Sequence, residues 1–167
     1  MTALQIRLAG INNLPEIKEM AYAIWPAAYE NILKPSQLQY MLHLFYSIDA
    51  LEKQLQSGHR FIIAYDDDTA VGFASFSQKT AGIPGVFRLH KLYVLPGLQK
   101  KGTGRFLLNY IIETISTEGA TLLELNVNRY NPALHFYTKL GFTVSREEDI
   151  DIGEGYFMND FVMQLSI

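Results

Sequence analysis

The sequence predicts a mixed α/β fold in which helices flank a largely antiparallel central sheet. Three consecutive runs rich in β-branched and aromatic residues, RFIIAY, AVGFASFSQ and VFRLHKLYVL, alternate with turn signals, which is typical of antiparallel strands. After Gly104 the apolar period changes from two to about 3.6 residues, which predicts a helix. A length of 167 residues with 49% hydrophobic composition fits one domain spanning 1–167.

The first third of the chain predicts a strand followed by helices. LQIRLAG alternates in the manner of a strand, and Asn12 or Asn13 is the expected N-cap of a helix. Ser36 is the expected N-cap of a second helix, QLQYMLHLFY. Asp49 and Glu52 have the spacing of a capping box and predict a further short helix.

The second half predicts two more helices and three more strands. The helix that begins at Gly104 stops at Gly119, and TLLELNVN returns to a strand. In NPALHFYTKLGF, Asn131 is the expected N-cap, Pro132 the first helical residue, and Gly141 the residue just past the end. A hairpin around residues 153–155 closes the chain. The predicted order is β-α-α-β-β-β-α-β-α-β-β.

Composition excludes several function classes. A formal net charge of -3 and the absence of a basic run argue against a nucleic-acid-binding protein. The chain has no cysteine, which rules out disulfides, thiolate metal sites and a cysteine nucleophile. The sequence contains no HExxH-type pair and no cluster of carboxylates at metal-ligand spacing, so we expect no metal site. No signal segment or apolar run of membrane-spanning length is present, so we expect a soluble cytoplasmic protein without membrane contact.

A turn that is rich in glycine and basic residues predicts an anion site. It opens the helix after the third antiparallel strand, where unpaired N–H groups and the helix dipole attract a phosphate. A P-loop is excluded because Thr103 follows the second glycine, and a dinucleotide fingerprint is excluded by Leu107. The residues of the predicted site are Gln99, Lys100, Lys101, Gly102, Thr103, Gly104 and Arg105.

Two segments together resemble the GNAT superfamily of acyl-CoA-dependent N-acetyltransferases. Gln99 to Gly104 is similar to the family's Gln/Arg-x-x-Gly-x-Gly/Ala turn. Asn131 to Phe142, which reads N-x-A-x-x-F-Y-x-K-x-G-F, is similar to the family's N-x-x-A-x-x-F-Y-x-K-x-G-F segment, with one residue fewer between the asparagine and the alanine. The resemblance covers about residues 60–145. It implies a GNAT-like fold and acetyl-CoA as co-substrate, with the anion site holding the coenzyme A pyrophosphate.

The resemblance also implies where the rest of the coenzyme lies. The strand before the turn offers backbone groups to the pantetheine arm and is expected to splay away near Pro96. Asn131 is expected to face the arm, and Tyr137 is expected to lie beside the sulfur. Together with the pyrophosphate segment, the predicted cofactor-binding residues are Leu92, Tyr93, Val94, Asn131 and Tyr137.

Direct acetyl transfer needs a neutral amine, a donor for the oxyanion and a proton for the leaving thiolate. The backbone N–H of Leu92 or its neighbour is the candidate oxyanion donor. Tyr137 is the candidate acid, with a purely structural aromatic as the alternative. His90 is the candidate base, with a structural histidine as the alternative, and it is expected to share a strand face with Arg88 and Leu92. Arg88 cannot be a base but suits a substrate carboxylate.

The acceptor is expected between the first helices and the terminal hairpin. With Arg88, the predicted substrate-binding residues are the aromatic side chains of Trp25, Tyr29 and Tyr156, for which burial in the core is the alternative. Four carboxylates have the charge to attract a cationic amine, although surface carboxylates are ordinarily just solvated: Glu30, Asp151, Glu154 and Asp160.

The leading functional prediction is an N-acetyltransferase that moves an acetyl group from acetyl-CoA to a primary amine of a small molecule or peptide. Many members of the family that the chain resembles carry a glutamate on the strand before the turn, where this chain has Arg88 and His90. The absence of that glutamate favours the alternative of a noncatalytic acyl-CoA-binding or sensing module. A protein-modifying acetyltransferase is the third hypothesis. Exposed sheet edges and the apolar terminal strand also predict a homodimer.

Overall fold

Seven strands of the described residues form one sheet in the order β1-β2-β3-β4-β5-β7-β6. A computed structural model describes residues 3–79, 83–98 and 101–167, so the predicted pyrophosphate residues Gln99 and Lys100 lie outside it. The strands are β1 Leu4–Ala9, β2 Arg60–Asp66, β3 Thr69–Gln78, β4 Val86–Val94, β5 Leu122–Asn128, β6 Thr143–Gly153 and β7 Tyr156–Ser166. Neighbouring strands are antiparallel except β4 and β5, which confirms the predicted mixed, largely antiparallel sheet.

Helices cover both faces of the sheet. They are α1 Leu14–Tyr29, α2 Pro35–Tyr46, α3 Ile48–Gln56, α4 Thr103–Ser116 and α5 Ala133–Lys139, with a 3₁₀ turn, Ile11–Asn13, before α1. Helix α3 is the short helix that Asp49 and Glu52 predicted, so three helices precede β2, one more than the predicted order includes. On one face α1, α2 and α3 enclose a first apolar cluster, and on the other α4 and α5 enclose a second.

The predicted N-caps of α2 and α3 are each wrong by two residues. Helix α2 begins at Pro35 with Lys34 as N-cap, because a fixed φ and a missing N–H suit proline to the first helical position better than they suit Ser36 to the cap. Helix α3 is capped by Ser47, whose hydroxyl accepts from the N–H of Ala50 at 3.2 Å. The predicted capping box therefore lies inside the helix.

A cleft opens in the sheet between β4 and β5. Their parallel pairing runs from Val86 with Leu122 to Leu89 with Leu125 and then stops, although β4 continues to Val94. Over its last three residues β5 keeps its pairing with β7. The expected divergence near Pro96 is therefore wrong in position, because the strands separate from residue 90 onward.

A β-bulge in β4 coincides with the start of this cleft. Phe76 of β3 pairs with Leu89 and Ser75 pairs with Lys91, so His90 is the extra residue. Because side chains alternate across a strand, one extra residue changes the face to which every later residue points. Bulges also increase the local twist, which helps β4 to leave β5.

Because of the bulge, the prediction that Arg88, His90 and Leu92 share one strand face is wrong for Leu92. Lys91 lies over the ring of Tyr46 on the α1–α3 face, whereas Leu92 packs against the α4 cluster on the opposite face. Leu92 therefore does not share a face with Arg88 and His90 as the simple alternation predicted. Residues 88, 90 and 91 are brought to the α1–α3 side instead.

We expect Gly72→Ala to destabilise the fold at the point where β3 supports this bent part of β4. A Cβ at Gly72 would lie 2.8 Å from the backbone oxygen of Tyr93 and 3.4 Å from Cδ1 of Leu107. Overpacking against backbone costs about 1–3 kcal/mol of unfolding free energy, measurable by urea denaturation. Gly10→Ala is the matched control, since nothing lies within 4 Å of its Cβ position. Equal midpoints for the two variants would contradict the prediction.

Candidate active site

A cavity of about 890 Å³ lies where β4 and β5 diverge. Its walls are the ends of β4 and β5, the start of α4, helix α5, the C-terminal half of α1, parts of α2 and α3, and the terminal hairpin. This volume falls in the range of cofactor and small-molecule sites. The cavity is therefore large enough for two reactants to meet.

The N-terminus of α4 forms one end of the cavity. Gly102 precedes the helix with φ +82°, a left-handed conformation that favours glycine. Gly104 lines the cavity, and Thr103 is buried beside it. The first N–H groups of a helix have no partner within that helix and carry its positive dipole end. The predicted glycine turn therefore has the geometry of a phosphate cradle, with Lys101 and Arg105 exposed next to it.

Helix α5 places two predicted residues in the cavity. The Oδ1 of Asn131 accepts from the N–H of Ala133, the first residue of α5, at 2.9 Å. The N-cap of the helix is Pro132, however, so the predicted cap at Asn131 and the predicted first helical residue at Pro132 are each wrong by one residue. Tyr137 is buried between the rings of Phe136 and Phe142, at centroid distances of 5.2 and 5.5 Å. Both Asn131 and Tyr137 line the cavity.

The hydroxyl of Tyr137 has no hydrogen-bond partner within residues 3–79, 83–98 and 101–167. Burial, followed by the nearby Tyr29, raises the pKa of this phenol above its ordinary value, so that it stays protonated at neutral pH. A protonated phenol that lines a cavity and is not bonded to the protein is a donor available to a ligand.

Aromatic side chains of α1 form the wall opposite α5. The rings of Trp25 and Tyr29 are tilted by 48° at a centroid distance of 4.7 Å, and the Tyr29 hydroxyl bonds that of Tyr93 at 2.9 Å. Trp25 and Tyr29 are buried, as the core alternative predicted, and they also line the cavity, as the pocket prediction requires. Tyr156, in contrast, packs on Tyr40 at 5.2 Å and lies outside the lining. The hairpin residues that line the cavity are instead Ile150, Phe157, Met158 and Asp160.

Arg88 lines the cavity but is held by the protein. Its Nη1 donates to Glu124 Oε1 at 3.0 Å and its Nη2 to Asn126 Oδ1. Lys79 also donates to Glu124, at 3.1 Å. Burial raises the pKa of the Glu124 carboxyl, but these two cations together bring it below its usual value. Glu124 thus already supplies the carboxylate that Arg88 was predicted to take from a substrate.

His90 lies in surroundings that disfavour a proton. Its ring stacks on that of His59 at 3.8 Å, and its Nε2 bonds the hydroxyl of Ser77 at 2.7 Å. Burial, with the charges of His59, Lys91 and Arg88, lowers the pKa of His90 to about 3. The imidazole is therefore neutral at pH 7 but a much weaker base than an ordinary histidine, whose pKa is about 6.5. This weak basicity counts against the predicted role of His90 as the general base.

Among the described residues that line the cavity, Asp160 is the acidic one. It lies on β7 opposite Asn128 of β5, and Asn126 Nδ2 donates to its Oδ2 at 3.2 Å. Burial raises the pKa of the Asp160 carboxyl, and the bond from Asn126 and the charge of Arg88 offset part of that rise. A carboxylate with a raised pKa that lines a cavity suits a general base.

These elements come together in a fold and a sequence pattern that known proteins share. The family model described as an acetyltransferase (GNAT) domain matches residues 30–156. The chain belongs to the GNAT family of acetyltransferases. The glycine turn before α4 and the cleft between β4 and β5 therefore lie within a GNAT acetyltransferase domain, the family that the resemblance implied.

Two relatives extend the similarity over nearly the whole chain. A Mycobacterium tuberculosis protein described as an uncharacterized N-acetyltransferase is 28% identical over 150 residues, which is 89% of this chain and 94% of the relative. The spermidine N(1)-acetyltransferase of Thermoplasma acidophilum is 26% identical over 168 residues, 97% of this chain and 96% of the relative.

A crystal structure gives the same result in three dimensions. The PaiA N-acetyltransferase of Thermoplasma acidophilum, solved in complex with coenzyme A, superposes with a TM-score of 0.82 at 27% identity and covers 99% of both chains. A GNAT structure from Rhodopseudomonas palustris has a TM-score of 0.83 at 17% identity, which shows the shared fold.

The described part of this GNAT chain carries no group of three histidine, aspartate or glutamate side chains placed to hold a metal ion. None of its helices within that part is long and apolar enough to cross a membrane. The sequence predicted for Asp160 either attraction of a cationic amine or a solvated surface position, and it predicted no acceptor role for Lys91 of β4. The register of β7 places Asp160 in the cavity, and the bulge of β4 places Lys91 there. Neither the register nor the bulge can be predicted from residue types alone.

Proposed function

We propose that this protein transfers an acetyl group directly from acetyl-CoA to a primary amine. The observation that carries the proposal is the shared cavity: the phosphate cradle at Gly104 and the unbonded hydroxyl of Tyr137 line the same space. A thioester whose pyrophosphate occupies the cradle extends along β4 toward that hydroxyl. Asp160 lines the same space and completes an acid and base pair.

The donor is held at the edge of β4 and at the start of α4. Beyond Leu89 the ladder between β4 and β5 has ended, and an extended pantetheine arm takes the place of a strand beside Leu92, Tyr93 and Val94. The cradle N–H groups, with Lys101 and Arg105, bind the pyrophosphate. The Asn131 side chain faces the arm from the other side of the cleft.

The reaction proceeds without a covalent enzyme intermediate. The amine nitrogen attacks the thioester carbonyl carbon, and a backbone N–H of β4 near Leu92 stabilises the oxyanion of the tetrahedral intermediate. Collapse of that intermediate breaks the C–S bond. Tyr137 donates its proton to the leaving thiolate, which gives coenzyme A and the acetylated amine.

Asp160 accepts the proton that the acceptor must lose. A primary ammonium has no lone pair, so it must be deprotonated before or during the attack. The raised pKa of Asp160 favours proton acceptance, and its negative charge favours the approach of a cationic amine. The similarity to a spermidine N(1)-acetyltransferase over 97% of the chain supports an amine acceptor.

Two separate measurements test the proposal. Titration calorimetry of acetyl-CoA against free adenine nucleotides measures binding of the donor. Thiol release across a panel of primary amines and peptides measures transfer. We expect tight acetyl-CoA binding and amine-dependent release of coenzyme A. Binding without release over the whole panel would favour the sensing module, and absence of binding would contradict the donor site.

Asp160→Asn is expected to lower kcat/KM for the amine by about 10²- to 10³-fold, because the amide cannot accept a proton. Activity of the native enzyme rises as pH rises through the raised pKa of this carboxyl. A raised native pKa means that ionised Asp160 costs stability above that pKa, so the variant should unfold at the same or a higher temperature. Asp68→Asn, at a fully exposed site, is the matched control. An equal loss of kcat/KM in Asp160→Asn and Asp68→Asn would contradict the role of Asp160 as proton acceptor.

A further inference from the structure

The β4 bulge places a buried cation in the part of the cavity that α2 and α3 enclose. Lys91 is 9% exposed, and its Nζ lies 5.2 Å from the ring centroid of Tyr46 and 5.9 Å from that of Phe61. Within the described ranges no carboxylate forms an ion pair with Lys91, and no side chain or backbone group hydrogen-bonds its ammonium. Lys91 lines the cavity.

Two unsatisfied polar atoms lie in the same part of the cavity. Gln54 donates its Nε2 to the backbone oxygen of Phe45 at 3.0 Å, which leaves its Oε1 buried without a partner. The Nδ1 of His59 is also buried without a partner. Gln54 and His59 are joined by a backbone hydrogen bond of 3.0 Å, and both line the cavity.

A buried charge without a partner is costly, and two neutral rings offset only part of that cost. The two buried carboxylates of the neighbouring strands are engaged elsewhere, since Glu124 is paired with Arg88 and Lys79, and Asp160 accepts from Asn126. Burial lowers the pKa of Lys91 only to about 8, so the amine is still mostly a cation at pH 7. This lobe of the cavity therefore lacks one negative charge.

We propose that the acceptor amine carries a carboxylate or similar anion, which binds Lys91 in the lobe formed by Gln54, His59 and Lys91. The ligand supplies the missing counterion, and His59 Nδ1 becomes a second donor to it when that nitrogen carries the proton. Gln54 Oε1 accepts from a donor group next to the anion. The amine end then extends toward Tyr137 and Asp160, so this inference rests on the proposed transfer reaction.

Charge also argues against a diamine at this lobe. A diamine long enough to fill the cavity would place its second ammonium near Lys91, where like charges in a poorly solvated site repel each other. The structure therefore assigns this chain an aminocarboxylate acceptor, which differs from the acceptor named for the Thermoplasma relative. The two chains share only 26% identity, which leaves room for different acceptor lobes.

Matched pairs of amines test the assignment on the unmodified full chain. The pairs are β-alanine with 1,3-diaminopropane, γ-aminobutyrate with putrescine, and δ-aminovalerate with cadaverine, in which a carboxylate replaces an ammonium at similar length. We expect kcat/KM to favour at least one aminocarboxylate over its diamine by about tenfold or more. A preference for the diamine in every pair would overturn the proposal.

Lys91→Met tests the same point by removing the charge from a side chain of similar length. It should lower kcat/KM for the favoured aminocarboxylate by about ten- to a hundredfold and leave or raise that for its diamine. Lys53→Met, at an exposed position of α3, is the control and should change neither value. Equal losses for both amines in Lys91→Met would overturn the proposal.

A binding measurement keeps this test separate from catalysis. Titration of each aminocarboxylate into the chain saturated with coenzyme A should show binding that is lost in Lys91→Met and retained in Lys53→Met. If no amine is acetylated but this binding is observed, the transfer reaction fails while the anion lobe stands. If diamines are acetylated and no aminocarboxylate binds, the anion lobe fails while the transfer reaction stands.

Discussion

Replacement of Gly102 by glutamate is expected to weaken acetyl-CoA binding by about a hundredfold or more. Gly102 precedes α4 at φ +82°, and nothing lies within 4 Å of its Cβ position. A carboxylate at this point would face the site of the pyrophosphate and oppose the field of the helix N-terminus that attracts it. A side chain also disfavours the left-handed conformation that aims the cradle.

The other end of the same helix supplies the control for this variant. Gly119 follows α4 with the same φ of +82° and equally open surroundings, but it lies at the C-terminal end. Gly119→Glu therefore introduces the same charge and the same backbone strain away from the cradle. Calorimetric titration of both variants with acetyl-CoA distinguishes the effect of a charge in the cradle from the effect of backbone strain. Equal affinities would contradict the assignment of the cradle.

Tyr137→Phe is expected to lower kcat by about a hundredfold and to leave acetyl-CoA affinity unchanged. The variant removes only the hydroxyl, because phenylalanine retains the ring contacts with Phe136 and Phe142. The thiolate then leaves without a proton donor, while the binding contacts of the coenzyme persist. Since the hydroxyl bonds no described residue, the unfolding temperature should not fall.

Steady-state kinetics, titration of acetyl-CoA and thermal melts distinguish these effects. Tyr130→Phe makes the same chemical change on the exposed entry to α5 and should behave as the native chain. An unchanged kcat in Tyr137→Phe would show that water or another group protonates the thiolate. A shift of the melt instead would assign Tyr137 to the core, the alternative that the sequence left open.

Local signals made part of this site predictable. Asn131 carries the side chain that accepts from the first N–H of α5, and Gly102 has the positive φ that a glycine turn before a helix favours. Such features depend on a few consecutive residues, so they are legible without knowledge of the rest of the fold. The period of the strands likewise gave the mixed sheet correctly.

Features that depend on strand register were not predictable. One extra residue at His90 places Lys91 on the α1–α3 side, and no residue type announces a bulge. The pairing of β5 with β7 decides that Asp160 lies beside Asn128 and lines the cavity. The low pKa of His90 results from burial and from its neighbours, so residue identity alone gave a misleading value.

The two apolar clusters lie on opposite faces of the sheet and share no buried residue. The cluster under α4 and α5 supports the proposed coenzyme cradle, while the cluster under α1, α2 and α3 supports the proposed acceptor lobe. Substitutions that reshape one layer therefore leave the packing of the other largely intact. Such a division lets acceptor choice diversify among descendants of one ancestor while the machinery that handles the donor is inherited unchanged.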